Sequence, residues 1–125
     1  MLLKTNRVWI NADAGSKLKI LKGRTGLTPN ILCRLAICMS LNTKPTTESP
    51  STNPGRLEFN KYTLLGDYEP LIIGLIVQYL YKNSKISPAT EDDILNSMKW
   101  HISRGVNMFY NRVKNIHDVV SIRNS

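Results

Sequence analysis

Residues 7–41 read RVWINADAGSKLKILKGRTGLTPNILCRLAICMSL, and this stretch decides the fold. It contains a short alternating apolar run, a basic amphipathic segment, a glycine turn and a second, almost wholly apolar segment. The order of these patterns predicts one strand followed by two helices. The same third of the chain carries most of the positive charge, so fold and function both depend on it.

The strand is predicted at residues 6–11, where apolar Val8 and Ile10 alternate with more polar positions. This period of two indicates one packed face and one outward face. A lone strand leaves its backbone hydrogen-bonding groups unpaired, and no second strand follows nearby in the sequence. We therefore expect the strand to pair with the same strand of another subunit.

Two helices are predicted after the strand. Asp13 can cap the first helix, which runs to about Thr25 and ends at Gly26, a residue suited to the left-handed conformation of a helix C-terminus. Thr28, followed by proline, is a good start for the second helix. Residues 31–41 are apolar or small on nearly every side, which predicts a buried helix that also contributes to a subunit interface.

The rest of the chain is predicted to be mostly helical. Residues 42–56 contain three prolines among Ser, Thr and Asn, which indicates a flexible loop. Residues 57–64 have the composition of a short extended segment. Residues 68–82 carry a broad apolar helical face, and a capping box at Thr90 begins a long helix that runs to about Lys114.

These elements predict a mainly α (α+β) protein with a single domain over residues 1–125. Its parts are a strand-helix-helix unit at 6–41, the loop at 42–56 and a mostly helical part at 57–125. We expect the domain to be oligomeric, because both the unpaired strand and the buried second helix call for a partner copy.

The net charge of +8 and the pI of about 9.7 point to a polyanionic partner. Residues 1–44 carry eight of the 17 Lys and Arg residues but only one of the nine Asp and Glu residues, so nearly all of the excess lies there. This asymmetry favours a nucleic-acid interface over a basic surface that only promotes solubility.

No catalytic or metal-binding pattern is present in the sequence. His101 and His117 lie far apart, and no Cys or carboxylate stands at metal-ligand spacing from either of them. The acidic residues 91–93 fit the first turn of a helix better than a nuclease centre. We expect no enzymatic activity, no metal and no cofactor.

The two cysteines and the apolar runs indicate a soluble cytoplasmic protein. Cys33 and Cys38 lie on different sides of one helix, so we expect reduced, buried thiols. The longest apolar run, Leu71–Val77, is much shorter than a membrane span, and the N-terminus does not resemble a signal peptide.

The strand-helix-helix order of residues 7–36 resembles the ribbon-helix-helix family, in which strands of two chains form a ribbon that enters the DNA major groove. The outward strand face would carry Arg7, Trp9 and Asn11. The N-terminus of the second helix, with Thr28 and Asn30, could bind a phosphate. Further contacts with the DNA backbone are expected from the basic residues of the first helix: Lys17, Lys19, Lys22 and Arg24.

Two side chains of this unit keep alternative interpretations. Trp9 is poorly suited to reading base edges, so the strand face that carries it could instead be covered by protein. Arg34, in an otherwise apolar helix, could pair across an interface or bind a phosphate.

A second resemblance covers most of the chain. Residues 21–34 (LKGRTGLTPNILCR), 57–63 (LEFNKYT) and 101–105 (HISRG) resemble, in the same order, stretches of the DndE family, the small subunits of the bacterial DNA phosphorothioation (sulfur modification) system. This resemblance implies a non-catalytic homotetramer that binds duplex DNA, prefers nicked duplex and works with the other phosphorothioation proteins. It also implies DNA contacts from surface lysines, for which Lys17, Lys19 and Lys22 are the candidates.

Two further functions stay open beside this one. A ribbon-helix-helix transcriptional regulator would bind a specific operator sequence. A purely structural subunit would use its basic face to bind an acidic partner protein and would not contact DNA.

Overall fold

The computed structural model describes residues 3–45, 55 and 57–121. In chain order these residues form β1 (Arg7–Trp9), α1 (Ala12–Thr25), α2 (Pro29–Leu41), β2 (Glu58–Asn60), α3 (Lys61–Leu65), α4 (Glu69–Ser84), α5 (Glu91–Arg112) and α6 (Ile116–Ser121). A short 3₁₀ turn at Gly66–Tyr68 joins α3 to α4. The prediction of a mainly α, single-domain protein with a small strand content is confirmed.

The long helix α5 is the centre of the packing, and it contacts α1, α2 and α4. The largest fully buried side chains come from these four helices, from α3 and from the residue after β1: Ile10, Leu18, Leu21, Leu32, Ile37, Leu64, Leu65, Ile76, Ile94, Met98, Ile102 and His101. α2 is the most deeply packed partner of α5, as its apolar sequence predicts.

Gly105 allows α2 and α5 to approach each other closely. A Cβ atom at this position would lie 2.6 Å from the Cα of Ala36 and nearer still to its carbonyl group. The absence of a side chain at Gly105 is therefore a condition for the contact between the two backbones.

The expectation that β1 pairs with another subunit is wrong. β1 pairs with β2 of the same chain, antiparallel, with Val8 opposite Phe59. The ladder is extended by hydrogen bonds from the Ile10 N–H to the Leu57 carbonyl and from the Lys61 N–H to the Asn6 carbonyl, both 2.9 Å long. Because β2 lies about fifty residues further along the chain, local sequence patterns did not reveal it as the partner.

The predicted helix boundaries are mostly confirmed, but the first cap is a different residue. Asn11, not Asp13, caps α1, and its side-chain oxygen accepts a hydrogen bond of 2.8 Å from the Ala14 N–H. α1 ends at Gly26 with a φ of 75°, as predicted. α2 begins after Thr28, whose side chain makes no capping hydrogen bond, and α5 begins with the predicted capping box.

The predicted extended segment at 57–64 is only partly extended. The strand ends at Asn60, whose side chain accepts a hydrogen bond from the Tyr62 N–H and starts α3. Residues 42–45 of the predicted loop follow the end of α2, and residues 46–54 and 56 lie outside the described residues. None of the helices in the described ranges is long and apolar enough to cross a bilayer.

Lys61 and Glu69 form a buried ion pair that the sequence did not indicate. The Lys61 Nζ atom lies 3.3 Å from Oε2 of Glu69, and both side chains are almost fully buried. Glu69 also accepts a 2.9 Å hydrogen bond from the Leu3 N–H, and Lys61 donates to the Leu3 carbonyl. Through these hydrogen bonds to the Leu3 backbone, the ion pair connects the N-terminal segment to the start of α4.

Candidate nucleic-acid interface

α1 has one buried side and one open side. Ala14, Leu18, Leu21 and Thr25 recur at helical spacing and are buried against the core. The opposite side presents Ser16, Ile20 and Gly23 to solvent. Basic residues stand on both flanks of this open side.

Lys19 and Lys22 occupy one flank of α1. They are three residues apart, so they lie on neighbouring turns of the same side of the helix. Both are exposed, and neither makes an ion pair or a side-chain hydrogen bond with any described residue. These two ammonium groups are therefore available to an external anion.

Lys17 lies on the other flank and is already engaged within the chain. Its Nζ atom lies 3.0 Å from Oδ2 of Asp13 and 2.6 Å from Oδ1 of Asn107 on α5. It also lies 5.3 Å from the ring centroid of Tyr110. Lys17 therefore joins α1 to α5 and is only partly exposed.

Arg24 continues the same flank and binds the C-terminal end of α5. Its Nη1 donates hydrogen bonds to the carbonyls of Tyr110 (3.0 Å) and Val113 (3.3 Å). Its guanidinium carbon lies 4.8 Å from the Tyr110 ring centroid. Unpaired carbonyls at a helix C-terminus attract cations, so Arg24 stabilises the end of α5.

A third cation lies near the Tyr110 ring besides Lys17 and Arg24: the Lys114 Nζ atom is 6.0 Å from the ring centroid. We call Lys17, Arg24, Tyr110 and Lys114 the Tyr110 cluster. Sequence reasoning missed Tyr110 and Lys114, although their spacing of four residues at the end of a predicted helix was a usable signal. The cluster extends the positive surface from α1 onto the end of α5.

Thr28, Asn30 and Arg34 connect α2 to α3. The Arg34 guanidinium donates to the carbonyls of Leu64 (2.7 Å) and Thr63 (3.0 Å), and the Asn30 amide also donates to Thr63 (3.3 Å). The Thr28 hydroxyl donates to the Asn30 side chain. In the described structure Arg34 therefore binds carbonyls of α3, a role that neither sequence interpretation included.

The outward face of β1 is open. Arg7 is exposed, and its Nη1 lies 3.5 Å from Oε1 of Glu58 on the neighbouring strand. Trp9 is 50% exposed. The Asn11 side chain caps α1 through its oxygen and donates a hydrogen bond to the Ser103 hydroxyl through its amide nitrogen. The described residues do not cover this face, so only Arg7 and Trp9 of the predicted set point outward there.

The residues 101–105 build a polar contact with the C-terminal end of α2. His101 is fully buried, and its Nδ1 lies 2.7 Å from the hydroxyl of Ser40. Arg104 donates to that hydroxyl (2.8 Å) and to the carbonyls of Ser40, Thr43 and Lys44. Burial, followed by the nearby Arg104 charge, lowers the pKa of His101 to about 4.

The two cysteines differ in their surroundings. Cys33 is buried in the core, and burial raises the pKa of its thiol to about 12. Cys38 is exposed, so the expectation that both thiols are buried is wrong for this residue. Its position about 140° around α2 from Cys33 puts it on the outer side of the helix.

The family model described as "DNA sulphur modification protein DndE" matches residues 7–117. The chain belongs to the DndE family. Its fold is similar to the crystal structure of DndE from Escherichia coli B7A, which is described as involved in DNA phosphorothioation modification. The TM-score is 0.68 at 26% sequence identity, and the match covers 87% of this chain and 99% of that chain.

A second DndE crystal structure, of a variant in which two glycines are replaced by lysine, matches with a TM-score of 0.64 and 26% identity. This match covers 86% of the present chain and 98% of the other one. A comparison with curated proteins finds no match. The family membership assigns the chain to DNA phosphorothioation. In the structure, the three stretches 21–34, 57–63 and 101–105 each contain residues that contact another element.

Proposed function

We propose that this DndE-family protein is a non-catalytic DNA-binding subunit of a DNA phosphorothioation system. It binds duplex DNA, with a preference for nicked duplex, through the open side of α1 and the Tyr110 cluster. It acts as a homotetramer in the cytoplasm, together with the other phosphorothioation proteins. The observation that carries the DNA contact is the exposed pair Lys19 and Lys22, which have no partner among the described residues.

The shape of α1 supports a phosphate contact. Ser16 and Gly23 on its open side are small, and a Cβ atom at Gly23 would meet nothing within 4 Å. A DNA backbone can therefore approach the helix closely at Ser16 and Gly23, beside the exposed Ile20, while Lys19 and Lys22 reach phosphates on one flank. Contacts of this kind are independent of base sequence and depend strongly on salt.

The nick preference has a physical basis in DNA stiffness. A nick removes the stacking continuity of one strand, so the duplex bends there at lower cost. A bent duplex can contact both flanks of α1, and thus reach the Tyr110 cluster as well as Lys19 and Lys22.

The lack of catalysis is supported by the burial of Ser40, His101 and Cys33; the exposed Cys38 thiol is outside this argument. Ser40 and His101 form a hydrogen-bonded pair, but both are fully buried and the Ser40 hydroxyl also accepts a hydrogen bond from Arg104. The Cys33 thiol is buried with a raised pKa. None of these groups can reach a phosphate at the surface.

The ribbon-helix-helix regulator is disfavoured by the pairing of β1 with β2, because that family builds its ribbon from two chains. Competition by random duplex provides the direct check. A sequence-specific regulator would stay bound to its operator when random duplex is added. The proposed subunit would be displaced from its labelled duplex by the same competitor.

The proposal is tested by fluorescence anisotropy on the purified protein with labelled duplexes that are identical except for one nick. We expect tighter binding of the nicked duplex at matched salt. Changing Lys19 and Lys22 together to Ala should reduce the slope of log K against log salt by about 1.8, since each lost phosphate contact contributes about 0.9. The double change to Arg keeps both charges and should preserve the slope.

Three results would contradict different parts of the proposal. Equal affinity for intact and nicked duplex would remove the nick preference. An unchanged salt slope in the double Ala variant would show that the DNA interface lies elsewhere. If the protein does not bind DNA even at low salt, the structural-subunit function becomes the better description.

A further inference from the structure

One large apolar side chain stands on the open side of α1. Among the residues of this helix, all of which the structure describes, Leu18 and Leu21 are buried whereas Ile20 is 44% exposed. Single exposed apolar residues are common on protein surfaces and need no explanation by themselves. The surroundings of Ile20 therefore decide whether this side chain has a role.

Ile20 stands between two small residues. Ser16 lies one turn before it and Gly23 one turn after it, and both are within about 60° of it around the helix axis. A Cβ atom at Gly23 would meet nothing within 4 Å. Because neither neighbour is large enough to shield it, the isoleucine stands out from an otherwise low surface.

Positive charge surrounds this side chain. Lys19 and Lys22 are exposed and make no ion pair or side-chain hydrogen bond with a described residue. The acidic residue of α1, Asp13, lies two turns before Ile20 and is paired with Lys17 at 3.0 Å. The neighbours of the isoleucine on this helix are thus ammonium groups and small residues, not other apolar side chains.

This combination of groups matches nucleic acid better than protein. A protein partner needs a contiguous apolar patch, which a single isoleucine does not provide. An opened base step in DNA offers both kinds of complementary group, with phosphates at its edge and the apolar faces of the bases inside. Proteins that kink DNA insert apolar side chains, isoleucine among them, between base steps in this way.

A nick lowers the cost of such an insertion. In intact duplex, a wedge must unstack two base pairs that are held together by two continuous strands. At a nick one strand is interrupted, so the step opens by bending about the other strand. An apolar side chain that enters the open step then contacts the bases at lower cost than in intact duplex.

We propose that Ile20 inserts between the two base pairs at a nick while Lys19 and Lys22 bind the flanking phosphates. This inference rests on the DNA binding of the proposed function, and it names the side chain that distinguishes nicked from intact duplex. The lysines contribute affinity for any duplex, and the isoleucine contributes the preference for the nick.

Anisotropy measurements on matched duplexes, intact or with one nick, test this division of roles. Ile20→Ala removes the wedge, keeps every charge and places a good helix former at an exposed position, so the variant should fold. We expect its affinity for nicked duplex to fall about tenfold, because three carbon groups lose their contact with the bases. Its affinity for intact duplex should change little.

Two further variants are the matched controls. Ile20→Leu keeps the apolar volume and should retain most of the preference for nicked duplex. Leu71→Ala removes the same number of carbon atoms from an exposed leucine on α4, outside the proposed interface, and should leave both affinities unchanged. Thermal melts check that all variants are folded.

The salt dependence of binding separates the isoleucine from the lysines. An apolar contact releases no counterions, so Ile20→Ala should keep the wild-type slope of log K against log salt. Changing Lys19 and Lys22 together to Ala should reduce this slope for both duplexes and keep most of the ratio between their affinities. The two variants therefore change different quantities.

A fluorescent base reports the insertion directly. 2-Aminopurine is quenched when it is stacked, so it brightens when a wedge separates it from its neighbour. Placed beside the nick, it should brighten with saturating wild type or Ile20→Leu, but not with saturating Ile20→Ala. Placed one helical turn away from the nick, it should not respond to any of these proteins.

The outcomes separate this inference from the proposed function. If Ile20→Ala keeps the wild-type preference for nicked duplex, the inference is refuted and the proposed function stands. A wild type that does not bind DNA refutes both. If the mass of Ile20→Ala without DNA, measured by light scattering, differs from that of wild type, Ile20 is a contact between copies and its role at the nick is refuted.

Discussion

His101 should make the stability of the protein depend on pH. The imidazole is fully buried, its Nδ1 is bound to the Ser40 hydroxyl, and its ring packs edge-on against Tyr79 and Trp100 at centroid distances of 4.5 and 4.9 Å. Its Nε2 has no hydrogen-bond partner within the described residues. A proton added to this ring would place a charge in an apolar site beside Arg104.

The sign and size of the effect follow from the pKa of His101. Burial lowers this pKa from 6.5 to about 4 in the folded protein. Between these values the unfolded chain binds a proton that the folded chain does not, so stability is complete above pH 6.5 and is lost as the pH falls. The free energy of unfolding should decrease by about 2 kcal/mol between pH 7 and pH 5 from this residue alone.

Urea denaturation at pH 7, 6 and 5 measures this decrease. His101→Asn keeps a polar group near Ser40 but cannot titrate, so its stability should be lower at pH 7 and depend less on pH. His117→Asn, at an exposed position of α6, is the matched control and should retain the wild-type decrease. If His101→Asn does not fold, NMR of the wild type can follow the His101 ring, which should stay neutral to about pH 4. An equal decrease in wild type and His101→Asn, or protonation of the ring near pH 6.5, would refute the reasoning.

Three further predictions concern packing, the buried ion pair and the DNA surface. Gly105→Ala should cost about 2 kcal/mol or more in urea denaturation, because its Cβ would push against Ala36; equal stability would refute the close contact. Lys61→Met should cost about 3–5 kcal/mol because it leaves Glu69 buried without its partner, whereas changing Glu69 to Leu as well should recover much of the loss; a melt without this recovery would refute the pair. Gly23→Lys should steepen the salt slope of DNA binding by about 0.9, and Gly23→Ala, with the same gain in helix propensity, should leave the slope unchanged; equal slopes would place the DNA away from this side of α1.

The parts of the fold that the sequence predicted correctly depend on short-range signals. Gly26 ends α1 and Thr28 begins α2 because both effects act within one turn of the helix. The capping box at Thr90 acts over three residues. The pairing of Val8 with Phe59 has no comparable local signal, because α1 and α2 separate the two strands in the chain. The partner of β1 was therefore misassigned.

The sequence predicted where the positive charge of the candidate site lies, but not which basic side chains bind other groups of the same chain. Counting basic residues located the positive surface on α1, and Lys19 and Lys22 are indeed exposed there. The count gave no sign that Arg24 binds carbonyls at the end of α5, or that Tyr110 gathers cations from α1 and from beyond α5. Those acceptors belong to elements distant in sequence, so only the folded structure separates the available cations from the engaged ones.

Three arginines share one structural role, and this role separates them from the cations that remain available to an external anion. Arg24 binds carbonyls at the C-terminal end of α5, Arg34 those of α3, and Arg104 those at the end of α2. A planar guanidinium can donate to several carbonyls at once, which an ammonium group does less well. The arginines therefore stabilise helix ends from neighbouring helices, while Lys19 and Lys22 stay at the surface. Replacing one of these arginines should mainly lower the free energy of unfolding and have a smaller effect on DNA affinity. Replacing the two lysines should weaken DNA binding while the protein stays folded.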